Sequence, residues 1–246
     1  MSSFWKHVNM VLSKADFILE VLDARYVEDT RNREIEEKVQ RMGKKLLFVL
    51  NKSDLMGREE AEKLKRHLQP CVFVSSTKKL GINLVKQKIM ELSRGEKVVV
   101  GIVGYPNVGK SSLINALAGR EAARTSASSG FTKGLQRVRV GNKILLLDTP
   151  GVFPNKEKDE LKHGATGAID FAKLKDPEAV ALKLIEAQGE LIRRVYGVEG
   201  EDAEEILEKI GQKYGKLSTG GKVNMEVAAR MILRSWQSGR MKRKTL

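Results

Sequence analysis

The chain has 246 residues, of which 41% are hydrophobic and 31% charged, and its formal net charge is +14 at pH 7. This length predicts one or two domains, no apolar run approaches the ~20 residues that cross a bilayer, and the first residues lack a secretory pattern, so we expect a soluble, cytoplasmic protein with no membrane partner. The single cysteine, Cys71, excludes a disulfide framework and a zinc site of paired cysteines, and its apolar surroundings predict burial.

Short apolar runs alternate with charged, helix-like stretches over the first two-thirds of the chain, which predicts an α/β domain with a mostly parallel sheet. The predicted strands are Asp16–Leu22, Lys45–Leu50, Cys71–Val74, Lys97–Val103, Gln136–Val140 and Lys143–Leu147. The predicted helices between them are Asn32–Met42, Arg58–His67, Ile82–Leu92 and Lys110–Leu117. Gly141 and Asn142 predict a tight hairpin turn between the last two strands.

The strand pattern ends at about Asn155, which predicts a first domain over residues 1–160 and a small all-helical domain over 161–246. Asp176, Pro177 and Glu178 are typical of a helix start, with an N-cap, a proline and an acid in the first turn. This first predicted helix ends at Gly197. Two further predicted helices cover Asp202–Tyr214 and Asn224–Ser238.

A glycine-rich segment, Gly104–Ser111, matches the P-loop pattern between a predicted strand and a predicted helix. Backbone N–H groups of such a loop surround phosphate oxygens at the positive end of a helix. Lys110 would reach the β- and γ-phosphates and Ser111 would bind Mg²⁺. The residues predicted to contact phosphate are Asn107, Val108, Gly109, Lys110, Ser111 and Ser112. The alternative for this pattern alone is an ordinary glycine turn before a helix.

Two further motifs follow predicted strands and favour GTP as the ligand. Asp148 ends one strand, where it can hold the Mg²⁺ shell, and the Gly151 N–H can contact the γ-phosphate. Asn51, Lys52 and Asp54 end another, and a carboxylate there accepts hydrogen bonds from guanine N1 and its exocyclic amine, which adenine cannot supply.

The order of these motifs differs from that in Ras-like GTPases, where the P-loop precedes the guanine-reading motif. Here Asn51–Asp54 comes first, Ser75 and Ser76 follow in the position of the guanine-contacting loop, and the P-loop comes third. The arrangement resembles the circularly permuted GTPases of the YlqF/RbgA type and their archaeal and eukaryotic relatives, which mature the large ribosomal subunit. A single sheet tolerates permutation because domain termini often lie close together.

Further segments share this resemblance. Leu22–Arg25, with Arg31 and Asn32, resembles the family's signature ahead of the guanine motif, and Thr166–Ile169 with Arg234–Gly239 resembles its tail. The resemblance implies a Ras-like, circularly permuted P-loop domain with helices on both faces of its sheet, followed by helices. It also implies that Gly130–Gly134 is switch I, with Thr132 as a second Mg²⁺ ligand. The family's catalytic histidine has no counterpart, since His7 lies too close to Asp23; an exposed helix histidine suffices.

The sequence predicts slow intrinsic hydrolysis, because Val152 stands where Ras-like enzymes carry a water-orienting glutamine. The residues assigned to catalysis are Lys110, Thr132 and Gly151. The P-loop also resembles that of potassium-activated GTPases, which implies a K⁺ held by Asn107; the alternative is that Asn107 only stabilises the loop turn.

Basic residues near the C-terminus form a candidate contact with rRNA phosphates. They are Arg230, Arg234, Arg240, Lys242, Arg243 and Lys244. The alternative is a solvated helix face. We therefore expect a GTPase that binds GTP and GDP, acts on the large ribosomal subunit or its precursor, and is monomeric off the ribosome. The alternatives are a GTPase of another RNA process, such as tRNA modification, and an RNA-binding switch whose turnover is incidental.

Overall fold

The computed structural model describes residues 3–119, 136–154 and 159–241. The chain forms two compact units, Met1–Glu157 and Lys158–Leu246. Their boundary lies three residues before the one predicted between 160 and 161. In the described part of the chain, no helix is both long and apolar enough to cross a membrane.

The first unit is built on a six-stranded sheet that is parallel apart from one edge strand. The strands are β1 Phe17–Asp23, β2 Lys45–Asn51, β3 Cys71–Phe73, β4 Val98–Gly104, β5 Gln136–Val140 and β6 Ile144–Asp148. Their order across the sheet is β3-β2-β1-β4-β6-β5, with β5 antiparallel to β6. All six predicted strands are confirmed to within one residue at each end, and the predicted hairpin turn at Gly141 is confirmed too. Cys71 is half-buried, because it lies on the short edge strand β3.

Six helices lie around this sheet in the described part of the unit. They are α1 Ser3–Lys14, α2 Val27–Thr30, α3 Arg33–Arg41, α4 Arg58–His67, α5 Ile82–Leu92 and α6 Lys110–Ala118. The four predicted helices are confirmed as α3 to α6, whereas α1 and α2 had no prediction. A short 3₁₀ turn, Ser53–Leu55, follows β2.

Helix α1 forms because one of its faces completes the core beside the sheet. Trp5, Val8 and Leu12 follow helical spacing and are buried against Ile18 and Val103. Burial of a large apolar side chain contributes roughly 1.5–3 kcal/mol, so this face anchors the helix. His7 lies on α1 but is half-buried, not exposed as expected.

Among its described residues, the second unit has helices joined by turns and one isolated β-bridge between Leu217 and Val223, which agrees with the predicted C-terminal helices. Its helices are α7 Glu160–Ala165, α8 Pro177–Tyr196, α9 Ala203–Lys213 and α10 Met225–Gln237. Asp176, Asp202 and Asn224 each accept a hydrogen bond from a backbone N–H in the first turn of the helix that follows, which confirms the three predicted starts. Helix α7 had no prediction, and α8 is kinked at Gln188.

The last helix is joined to the turn after α7 by side-chain hydrogen bonds. The Trp236 Nε1–H donates to the Ala165 carbonyl at 3.0 Å. The Gln237 amide accepts from the Phe171 N–H at 3.1 Å and donates to the carbonyls of Gly164 and Ile169. These contacts bring together the two segments that resemble the family's tail, and they show that both have a packing role.

A buried acid, Glu20, lies in the middle of β1 beneath the start of α3. Its Oε1 accepts a hydrogen bond from the Asn32 N–H at 2.8 Å, while its Oε2 is buried without a hydrogen-bond partner among the described residues. Burial, with repulsion from Glu36, raises the pKa of Glu20 to about 8. The carboxyl group is therefore largely protonated at neutral pH in the folded protein.

Glu20→Gln is expected to remove part of the pH dependence of stability. The folded state holds the Glu20 proton up to about pH 8, whereas the unfolded state releases it near the ordinary glutamate pKa of 4.5. The wild-type free energy of unfolding therefore falls as pH rises between these values, by up to ~1.4 kcal/mol per pH unit, relative to the variant. Urea titrations at pH 6, 7 and 8 measure this difference.

Glu62→Gln, on the exposed face of α4, is the matched control and should follow the wild-type curve. Parallel curves for Glu20→Gln and the wild type would contradict the assignment of a buried, protonated Glu20.

Candidate functional site

The P-loop connects β4 to α6 with the geometry that a phosphate cradle requires. Gly109, at the N-cap of α6, has a φ of 96°, and a Cβ at this position would lie 2.3 Å from the Asn51 Nδ2. Only glycine fits this close approach in a left-handed conformation. The loop backbone therefore leads directly into the N-terminus of α6, where N–H groups point at a bound anion.

Lys110 and Asp148 face each other as buried charges beside this loop. The Lys110 Nζ donates to the carbonyls of Gly104 at 3.0 Å and Tyr105 at 2.8 Å. Burial lowers the pKa of Lys110 to about 8, against the opposing attraction of Asp148. Burial raises the pKa of Asp148 to about 6, and the Lys110 charge opposes that rise. Burial thus makes the Lys110 ammonium a favourable site for an anion and the Asp148 carboxylate a favourable site for a cation.

The carboxylate of Asp148 is suited to bind a divalent cation. Both of its carboxylate oxygens are buried without a hydrogen-bond partner among the described residues. An orphaned carboxylate at the end of β6 is an oxygen ligand of the kind Mg²⁺ takes, usually together with phosphate oxygens and water. The residues present fit the ion. Ser111 is half-buried in the first turn of α6, and Thr132 lies outside the described residues.

Asn51 joins the P-loop to the predicted guanine-contacting loop at residues 75–78, called the guanine loop below. Its Nδ2 donates to the Val108 carbonyl at 2.9 Å, and its Oδ1 accepts from the Ser76 N–H at 3.1 Å and the Ser76 hydroxyl at 2.8 Å. Asn51 is 2% exposed. Because one buried amide satisfies two loops that lie far apart in sequence, it sets the distance between them.

Asp54 lies on the 3₁₀ turn after β2, within reach of the 75–78 loop. Its carboxylate is 11% exposed and pairs with Lys78 at 3.1 Å. Burial would raise the pKa of Asp54, but hydrogen bonds from Ser75 and Lys78 outweigh it and hold that pKa below its usual value. Asp54 is therefore ionised, which is the state that accepts two hydrogen bonds from a guanine edge.

The segment after β6 packs closely against the P-loop. The Val152 N–H donates to the Gly104 carbonyl at 3.3 Å, and the rings of Tyr105 and Phe153 meet edge to face at 5.0 Å. A Cβ on Gly151 would lie 2.7 Å from the Pro106 Cα and 3.1 Å from the Lys110 Nζ. Gly151 thus lies beside the predicted catalytic lysine. Val152 is 5% exposed, and its side chain packs into the cluster with Trp5 and Val8.

Asn107, the predicted K⁺ ligand, has a φ of 60°. Asparagine tolerates this left-handed region better than most residues, so the loop turn by itself gives Asn107 a role. Ser112, also predicted to contact phosphate, is half-buried in the first turn of α6.

The candidate RNA residues divide into two groups. Arg230 is half-buried, and its guanidinium donates to the carbonyls of Phe171 at 2.6 Å and Leu174 at 3.3 Å and pairs with Glu226. These internal contacts occupy much of the Arg230 guanidinium, and its contact with rRNA stays a prediction. Arg234 and Arg240 are exposed. The three remaining candidates lie outside the described residues: Lys242, Arg243 and Lys244.

One cluster next to the guanine loop had no predicted role, although its sequence had been matched to a family signature. The Asp23 carboxylate, 1% exposed, contacts both Arg25 and Lys52. The sequence feature that could have predicted this cluster is an acidic residue at the end of a buried strand, two positions before an arginine.

The fold and these motifs define a P-loop GTPase domain whose motif order is circularly permuted. Residues 99–215 match the family described as 50S ribosome-binding GTPase, and residues 37–155 match the RsgA GTPase family. The chain therefore contains a circularly permuted GTPase domain.

Solved structures and curated proteins are similar to this chain. YlqF from T. maritima, bound to GNP, has a similar fold, with a TM-score of 0.69 and 22% identity over 99% of this chain and 97% of that one. An uncharacterized GTP-binding protein of Methanocaldococcus jannaschii is 42% identical over 96% of this chain and 65% of its own length. The nuclear GTP-binding protein NUG1 of Saccharomyces cerevisiae is 31% identical over 94% of this chain and 54% of its own length. The chain thus spans about half to two-thirds of these two curated relatives.

Proposed function

We propose that the chain binds GTP and GDP and hydrolyses GTP to GDP and phosphate. The observation that carries this proposal is the Asn51 amide, which holds the P-loop at Val108 and the guanine loop at Ser76 with one buried side chain. A phosphate site and a base site at the same edge of the sheet suit a guanine nucleotide.

The chain's own residues supply charge neutralisation and orientation. The Lys110 ammonium leaves its carbonyl partners for the β- and γ-phosphates, and the Gly151 N–H contacts the γ-phosphate. Ser111, Asp148 and Thr132 would hold Mg²⁺, which when bound neutralises charge on the β- and γ-phosphate oxygens. The burial of Val152 supports slow intrinsic hydrolysis, because this side chain neither hydrogen-bonds water nor faces solvent.

The partner we propose is the large ribosomal subunit or its precursor, bound with GTP and released after hydrolysis. The match of residues 99–215 to a family described as ribosome-binding supports it, as does the net charge of +14. Arg234 and Arg240 are the described candidates for rRNA phosphate contacts. A cytoplasmic location and a monomeric state off the ribosome stay predictions from the sequence.

Co-sedimentation with large ribosomal subunits tests this proposal. With a non-hydrolysable GTP analogue we expect the protein in the pellet, and with GDP in the supernatant. A double variant, Arg234→Glu with Arg240→Glu, should reduce pelleting at low salt and should make pelleting less dependent on salt, because fewer phosphate contacts release fewer counterions. Lys63→Glu with Arg66→Glu, an equal charge reversal on α4, is the control. Equal pelleting in both nucleotide states would contradict the proposed cycle.

Turnover assays separate the alternatives. Stimulation of GTP hydrolysis by large subunits supports the assembly GTPase, whereas pelleting without stimulation supports a binding switch whose turnover is incidental. Stimulation by tRNA, and not by large subunits, supports another RNA process. Rates of GTP hydrolysis in potassium and in sodium buffers test whether Asn107 is a K⁺ ligand. Equal rates would mean that Asn107 only stabilises the loop turn.

A further inference from the structure

The buried cluster beside the guanine loop consists of Asp23, Arg25 and Lys52. Asp23 ends β1 and is in register with Asn51 at the end of β2, so the cluster lies beside the residue that links the two loops. The side chain of Arg25 is 6% exposed and that of Lys52 24% exposed. An ion group so enclosed is costly to leave incomplete.

The Asp23 carboxylate is fully used by its two neighbours. Oδ1 accepts from the Arg25 backbone N–H at 3.1 Å and from the Arg25 Nε at 3.0 Å. Oδ2 accepts from the Arg25 Nη2 at 2.7 Å and lies 2.8 Å from the Lys52 Nζ. Two cations around one carboxylate leave the cluster with one net positive charge, and the Arg25 guanidinium is also attracted to the Asp54 carboxylate.

Lys52 connects this cluster to the base-reading carboxylate. Its φ of 61° places it in the left-handed region, which is unusual for lysine. The chain turns there into the 3₁₀ turn that carries Asp54. The bond to Asp23 holds the Lys52 side chain and thereby stabilises this strained turn.

We infer that Arg25 is a positioning residue that sets the guanine specificity of the site, acting through Asp23 and Lys52 on Asp54. The inference rests on the proposed function. Without the guanidinium, Asp23 keeps a single cation and reorients toward Lys52, so the turn that presents Asp54 moves. The consequence is a weaker preference for guanine over hypoxanthine, which lacks the exocyclic amine that donates a hydrogen bond to the Asp54 carboxylate.

The test compares the dissociation constants of GDP and IDP by calorimetry on the full chain at pH 7. The wild type should prefer GDP by about 10-fold or more, the value of one hydrogen bond to a charged group. Arg25→Gln should reduce this ratio by at least about 5-fold, and Arg25→Lys should give an intermediate ratio because it restores the charge without the planar guanidinium.

Arg31→Gln is the matched control. Arg31 makes a half-buried pair with Glu36 in the same segment, and among the described residues it contacts neither Asp23 nor Lys52. A purely structural role of Arg25 would lower the unfolding temperature as in Arg31→Gln but leave the GDP-to-IDP ratio unchanged.

Each outcome decides a separate point. A wild type that binds neither nucleotide overturns the proposed function itself. A wild type that prefers GDP, with the same preference in Arg25→Gln, overturns the inference alone. If Arg25→Gln does not fold, Arg25→Lys decides, because a lowered ratio supports the positioning role and an unchanged ratio overturns it.

Discussion

Asp54→Asn is expected to exchange guanine specificity for xanthine specificity. The Asp54 carboxylate is ionised, partly buried and held by Ser75 and Lys78, so it offers acceptors to the N1–H and the exocyclic amine of guanine. An asparagine amide presents a donor where the amine needs an acceptor, whereas the 2-oxo group of xanthine accepts from that donor. Affinity for GDP should therefore fall and affinity for XDP should rise.

The size of this change follows from the two bonds at stake. A hydrogen bond to a charged group contributes roughly 1.5–3 kcal/mol, and one between neutral groups about 1 kcal/mol. Asparagine loses the bond from the exocyclic amine and keeps a neutral acceptor for N1–H, so GDP binding weakens by about 2–5 kcal/mol, or at least about 30-fold in its dissociation constant. Calorimetric titration with GDP and XDP measures both affinities. Asp29→Asn, the same change at an exposed carboxylate on α2, should leave both unchanged. A variant that still prefers GDP would contradict the assignment of Asp54 to the base.

Lys110→Met is expected to lower GTP hydrolysis by about 100- to 1,000-fold, the usual cost of removing one group that stabilises transition-state charge. Methionine fills a similar volume but has no amine to carry to the γ-phosphate. The free energy of unfolding of the nucleotide-free protein should change little. The cost of burying the charge, which lowers the Lys110 pKa to about 8, offsets the loss of its bonds to the Gly104 and Tyr105 carbonyls and of its attraction to Asp148.

Single-turnover hydrolysis and urea unfolding together test this prediction. Lys79→Met, at an exposed lysine, should change neither measurement. Hydrolysis at the wild-type rate in Lys110→Met would remove this lysine from the mechanism. A collapse in stability with little change in rate would show that Lys110 serves the fold.

Many elements of both units were predictable because their sequence signals are local. Strands such as Val98–Gly104 are continuous apolar runs bounded by turn residues, and the P-loop and the guanine motif follow such strands directly. Caps such as Asp176 and Asp202 mark helix starts within three residues of sequence. These features need no knowledge of distant parts of the chain, so the order of the motifs and the permuted topology could be inferred before the fold was known.

The remaining features depend on which residues meet from far apart in the chain. Val152 is buried because α1, some 140 residues earlier, packs over it, and Arg230 is engaged because the turn at Phe171 lies against α10. Asp23 finds Lys52 because β1 and β2 are neighbours in the sheet. Burial and ion pairing of this kind arise from the packing of separate elements. The nucleotide-binding motifs are therefore recognisable in the local sequence. The buried contacts and ion pairs that stabilise them form only when the sheet and its helices have assembled.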